Sequence, residues 1–116
     1  MEYITKDSGK RQEYPSGMVR DTQEEKIRYD LIIPLGNKHS MLKRWAELLT
    51  RGMKKYGYRN WEKANSEEEL MRFKASAFRH FMQWFEGETD EDHGAAVFFN
   101  IQAHEHIKEK SSQKQG

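Results

Sequence analysis

The sequence predicts an all-α fold, a bundle of three principal helices preceded by an extended N-terminal strap. Apolar residues recur at helical spacing in three stretches, from Leu42 to Tyr56, from Leu70 to Trp84 and from His93 to Ile107. Ser40 and Ser66 stand where N-caps are wanted, and Ser66 is followed three residues later by Glu69, the pattern of a capping box. Gly57 and Gly87 then close the first two patterns.

A chain of 116 residues is read as one domain with a single modest core. Its 20 basic and 19 acidic residues leave a net charge of +1, so no overall field favours polymeric nucleic acid or an anionic membrane as partner. Cysteine is absent, which excludes disulfides, thiolate catalysis and Cys-based zinc sites. The start lacks the apolar core of a signal peptide, and no run approaches transmembrane length. The expectation is a soluble, cytoplasmic protein with a flexible arm at 1–16, a helical domain at 17–108 and a frayed tail at 109–116.

Residues 1–16 are polar and show no periodicity, and Pro15, Ser16 and Gly17 signal a turn. Leu31, Ile32 and Ile33 form a short apolar run ended by Pro34. Pro34 disfavours helical angles at Ile33, so an extended strap packed on the helices is expected.

The first helix carries Leu42, Trp45, Leu49, Gly52 and Tyr56 on one face, and Gly52 there would admit a helix or a ligand closely. Glu47 and Arg51 fall opposite as a solvated i, i+4 pair. The loop after this helix gathers Lys54, Lys55, Tyr56, Arg59, Asn60 and Trp61, which suit phosphate binding and base stacking. A basic helix C-terminus with Trp61 as a core anchor explains the same residues, and composition alone favours that account.

The second helix places Leu70, Phe73, Ala77, Phe81 and Trp84 on one face with His80 beside them. The third carries a stripe of His93, Val97, Asn100, His104 and Ile107, in which three members are polar. Leaving a buried polar group unpaired costs roughly 1 to 3 kcal/mol, so these groups need partners. Between the two helices lie Glu86, Glu88, Asp90, Glu91 and Asp92, carboxylates of the kind a hard cation such as Mg²⁺ requires. Acids at a helix N-terminus also complement its dipole, and a lone inward histidine is more often a satisfied core residue than a ligand. Neither account explains His93 and Asn100 together on the stripe.

Three segments, GMVRDTQEEKIRYDLIIP, RGMKKYGYRNWEK and FRHFMQWFEGETDEDHGAAVFFN, resemble in sequence and spacing the phage-associated dATP/dGTP diphosphohydrolase family, which is related to the MazG-like all-α nucleoside triphosphate pyrophosphohydrolases. The likeness covers roughly Gly17 to Asn100. It implies an all-α, homo-oligomeric enzyme that uses Mg²⁺ or Mn²⁺ to cut a purine deoxynucleoside triphosphate into monophosphate and pyrophosphate. His80, Glu88, Asp92, His93 and Asn100 match the family's site region, and Lys55, Tyr56, Gly57, Asn60 and Trp61 match its loop motif.

The expected roles follow from that match. Glu88 and Asp92 hold metal, His80 and His93 orient water or phosphate, Asn100 supplies hydrogen bonds, and Lys55, Tyr56, Arg59, Asn60 and Trp61 bind the nucleotide. MazG-like enzymes generally pair E-x-x-E on one helix with E-x-x-D on the next, whereas the third helix here has no E-x-x-D. The alternative is therefore a catalytically silent helical module that binds nucleotides or a protein partner on the same scaffold. The third helix is also apolar on opposite sides, and Trp45, Trp84, Phe98 and Phe99 are more aromatic surface than one small subunit is expected to bury.

Overall fold

Helix signals dominate the chain, and the computed structural model, which describes residues 2–36 and 38–115, is mostly helical. Two compact units divide at Ile32.

The first unit contains an antiparallel hairpin of β1 (Arg11–Glu13) and β2 (Val19–Asp21), with Gln12 opposite Arg20. The Pro-Ser-Gly signal is the hairpin turn. Tyr14 N–H donates to the Met18 carbonyl at 2.9 Å, Gly17 N–H donates to the Tyr14 carbonyl at 2.8 Å, and Gly17 takes φ 91°. Strand β1 lies inside residues 1–16, expected to be a flexible or extended arm. Its residues, RQE, carry no alternating apolar pattern because both faces are exposed.

The apolar run before Pro34 also differs from expectation. Tyr29–Ile32 forms a 3₁₀ turn rather than an extended strap, and Leu31 and Ile32 remain exposed. Local bonds explain it: Leu31 N–H donates to the Arg28 carbonyl at 3.1 Å, and the Arg28 guanidinium grips Asp30 at 2.7 Å. Pro34 restricts only the residue before it, Ile33, which lies past the turn.

The second unit holds α1 (Met41–Tyr56), a 3₁₀ turn (Asn60–Lys63), α2 (Glu67–Phe85) and α3 (His93–Gln115). The caps form as the sequence signals. Lys43 N–H donates to Ser40 Oγ, Gly57 closes α1 at φ 101°, and Ser66 and Glu69 complete a reciprocal capping box. Asp92 starts α3 by accepting from Ala95 N–H at 3.1 Å. Helix α3 continues past Lys108, the expected end of the helical domain, to Gln115. Good helix formers at Lys108, Glu109 and Lys110 and the absence of Gly or Pro before Gly116 let it run on. Gly116 lies outside the described residues.

Helix α3 is the centre of this unit. It packs along α2 and against α1, while α1 and α2 have hardly any direct contact. Its buried side alternates His93, Ala96, Asn100, Ala103 and Ile107. Ile107 joins Leu70 and Ala64 in the core, with Phe73 packed against them. Ile107→Ala, which removes the largest fully buried side chain, should cost about 2 to 4 kcal/mol of unfolding free energy. Urea titration followed by circular dichroism measures it.

Candidate functional site

Since α1 and α2 diverge over α3, they leave an open groove of about 1750 Å³ with α3 as its floor. All ten residues expected at the site line this groove: His80, Glu88, Asp92, His93 and Asn100 with Lys55, Tyr56, Arg59, Asn60 and Trp61. Asp90 and Glu91 of the acidic cluster line it as well, and so do Arg44 and Arg51, which sequence reasoning did not single out as groove residues.

The acidic loop between α2 and α3 is organised by two imidazoles. His93 is 2% exposed and His80 is 7% exposed, and their Nδ1 atoms meet at 2.9 Å. His93 Nε2 lies 2.8 Å from an Asp90 carboxylate oxygen, and His80 Nε2 lies 3.4 Å from the Arg79 guanidinium. One proton assignment with both rings neutral satisfies every contact. Arg79 donates to His80, His80 Nδ1–H donates to His93, and His93 Nε2–H donates to Asp90. Burial, followed by the Arg79 charge, lowers the His80 pKa and favours that neutral ring. The bond from His93 lowers the pKa of Asp90.

Asp90, Glu91 and His93 present donor atoms within 4.8 Å of one another. Asp90 and Glu91 are exposed carboxylates and fit a hard divalent cation, which takes few protein oxygens and fills its shell with water and phosphate. Glu88 lines the groove beside them and is also exposed. Asp92 is engaged differently. Arg44 donates to both of its oxygens, from Nη2 at 2.6 Å and from Nε at 2.9 Å, and Ala95 N–H takes a further share. The Arg44 bond holds its carboxyl below the ordinary carboxylate range, and the nearby Arg51 charge adds to this.

Asn100 is 7% exposed on the groove floor. Its Nδ2 donates to the Ala96 carbonyl at 2.8 Å, which places the amide oxygen away from the helix backbone as an acceptor. The other end of the groove is basic and aromatic. Arg59 sits in the left-handed region at φ 52°, pairs with Glu62 at 2.7 Å and lies over the Tyr58 ring. Trp61 meets Phe99 and His106 edge to face, so it anchors the loop to α3. Lys55 and Tyr56 are exposed at the end of α1. Gly52 also lines the groove, and a Cβ there would meet nothing within 4 Å.

Arg51 was expected on the far side of α1, paired with Glu47. The structure turns it into the groove, and Glu47 instead approaches Lys43 at 3.9 Å. Pairing by sequence spacing cannot choose between the two cations, each four residues from Glu47. The partner of Arg44 lies 48 positions away, beyond any local pattern.

Fold and groove together define a small all-α protein with a cleft that joins acids and imidazoles, beside Arg44 and Arg51, to the basic and aromatic loop of Lys55 and Arg59. The sequence model of one family, described as dATP/dGTP diphosphohydrolase, N-terminal, matches residues 16–115, and the chain belongs to that family. Neither curated proteins nor solved structures yielded a match to it. No described helix is long and apolar enough to cross a membrane.

The Arg44–Asp92 pair generates a prediction. A carboxyl held low in the folded state adds stability that is present above its unfolded value, near pH 4, and is lost as pH falls through the lowered value. Arg44→Met should therefore destabilise the fold by about 1 to 2 kcal/mol at neutral pH. It should also flatten the acid limb below about pH 4. Denaturation midpoints measured across pH 3 to 7 check both.

Proposed function

We propose that the protein hydrolyses a purine deoxynucleoside triphosphate to the monophosphate and pyrophosphate in the groove over α3. The supporting observation is that one cleft joins the Asp90–Glu91–His93 donor set to Arg51, Lys55 and Arg59. Triphosphates need this combination of acids for a cation and cations for phosphate oxygens.

In this reading Glu88, Asp90 and Glu91 hold Mg²⁺ or Mn²⁺, and Asp92, first expected as a ligand, stays paired to Arg44. A divalent ion bound there supplies neutralisation of phosphate charge and a water of lowered pKa. Water adds to the α-phosphorus, the bond to the bridging oxygen breaks, and pyrophosphate departs. Of the nitrogens in the His80–His93 pair His80 Nε2 is the least engaged, with Arg79 as its long contact, and as an acceptor it orients the attacking water and takes its proton. His93 acts behind it, holding the ring through Nδ1. Arg51, Lys55 and Arg59 hold the phosphates, and the exposed rings of Tyr56 and Tyr58 offer faces for the base. Asn60 borders the base, and the Asn100 oxygen accepts from a base or sugar donor. Trp61 keeps the loop in place. The working form is a homo-oligomer.

A catalytically silent nucleotide-binding module is the second reading. The observation favouring it is Asp92, whose two oxygens are taken by Arg44 and the α3 backbone, leaving fewer carboxylates for metal.

Incubation with each nucleoside triphosphate and Mg²⁺ or Mn²⁺ should release pyrophosphate and monophosphate, fastest from purine deoxynucleotides. Glu88→Gln and Glu91→Gln should abolish turnover and leave the metal-free Tm nearly unchanged, because both acids are exposed. Lys55→Ala should raise the apparent KM with little effect on Tm. Mn²⁺ should raise the Tm of the native protein and not of the Gln variants. A Tm that ignores metal and nucleotide, with no pyrophosphate from any substrate, would reject the hydrolase; nucleotide stabilisation without turnover would favour the silent module.

A further inference from the structure

We propose that a second copy of this chain packs on the outer face of α2. The face is built from Met71, Ala75, Phe78, Met82 and Phe85, spaced at alternating steps of four and three, with Phe81 alongside. Phe78 is 68% exposed, Phe85 71%, Met71 60%, Phe81 45% and Met82 39%. Leu70, Phe73 and His80, which turn toward α3, are the side of α2 that the subunit itself uses.

Exposed aromatic and methionine surface of this extent comes to roughly 500 to 600 Å². That reaches the upper end of the largest apolar patches on soluble monomers, about 300 to 600 Å². It also approaches the ~800 Å² that each partner of a standard interface contributes. The stripe has the spacing of a coiled-coil seam, and its two ends, Met71 and Phe85, lie equally far from Phe78. A two-fold axis near Phe78 therefore lays the stripe against its own copy in antiparallel fashion, as an isologous contact requires. The five stripe positions carry no charge, which suits an apolar surface of the same kind, while Lys74 falls between the stripe and Phe81 at its border.

The contact reaches the groove through aromatic packing. Phe81 lies 5.7 Å from Trp84 and stacks on Phe85 at 6.4 Å. Trp84 lines the groove and remains 55% exposed in the single subunit. Covering Phe81 and Phe85 braces the indole that walls the groove near His80. This gives the homo-oligomer of the proposed function a defined face, and its test reads mass, which does not depend on hydrolysis.

Sedimentation equilibrium of the native protein at micromolar concentration should give twice 13.9 kDa. Phe78→Glu with Phe85→Glu should halve the mass while far-UV circular dichroism stays helical. The chain lacks cysteine, so Ala75→Cys introduces a single exposed thiol. A flexible bis-maleimide should join two such subunits, and should not join subunits carrying Lys43→Cys on α1. That cross-link decides the matter if the double glutamate variant fails to fold. A native mass of 13.9 kDa, a dimer indifferent to the glutamates, or equal cross-linking at positions 75 and 43 would overturn the proposal. Monomeric protein that binds anionic phospholipid vesicles through this face would overturn it as well.

Discussion

Close approach to α3 is the constraint on which the helical unit depends. Ala95, Ala96 and Ala103 are buried on a helix that must receive α2 along its length and α1 near its start. Small side chains let both neighbours lie near the α3 backbone, and Gly94 continues this at the first turn. A Cβ at Gly94 would come within 3.2 Å of the Arg44 guanidinium and 3.7 Å of the Trp84 ring. With α3 holding both partners, α1 and α2 need not touch, and the groove is the space they leave.

The same helix carries polar groups on its buried side, which costs stability unless each is paired. The pairing is complete in the acidic loop, where the hydrogen-bond chain from Arg79 through His80 and His93 ends on the solvated carboxylate of Asp90. Asn100 satisfies its donor on its own helix and keeps an acceptor. The deeper core is small, with Leu70 and Ile107 as its main aliphatic members. A unit with so little buried apolar surface, and so much left exposed on α2, depends strongly on those few contacts.

Helices were legible because caps and periodicity act locally. Ser40, Ser66 with Glu69, and Gly57 fix ends through bonds spanning a few residues, and the inward turn of His80 follows from its place beside Phe73 and Trp84. The hairpin was not legible, since Arg11–Glu13 and Val19–Asp21 bury almost nothing and leave no alternation to read. The 3₁₀ turn at Tyr29–Ile32 was hidden by the apolar look of residues that stay in solvent. At the site, residue types pointed to acids, imidazoles and a basic loop. Which acid serves which partner depended on contacts across the fold, above all that of Arg44 with Asp92.

That contact also settles how α1 faces the groove. Arg44, Leu48, Arg51 and Lys55 follow at steps of four, three and four, so they share one side of the helix. Once Arg44 is pinned to the carboxylate that starts α3, α1 can no longer roll, and Arg51 and Lys55 are carried into the cleft. Arg51 then lies near enough to Asp92 to lower its pKa, yet has no carboxylate within ion-pair distance among the described residues. A cation held close to acids without being neutralised by one is suited to a phosphate that arrives with its own counter-ion. Asp92 thus contributes by orientation. By holding one arginine it leaves Arg51 unpaired in the cleft, which under the proposed function makes Arg51 a cation for phosphate and keeps Asp92 out of the ligand set of a metal bound there.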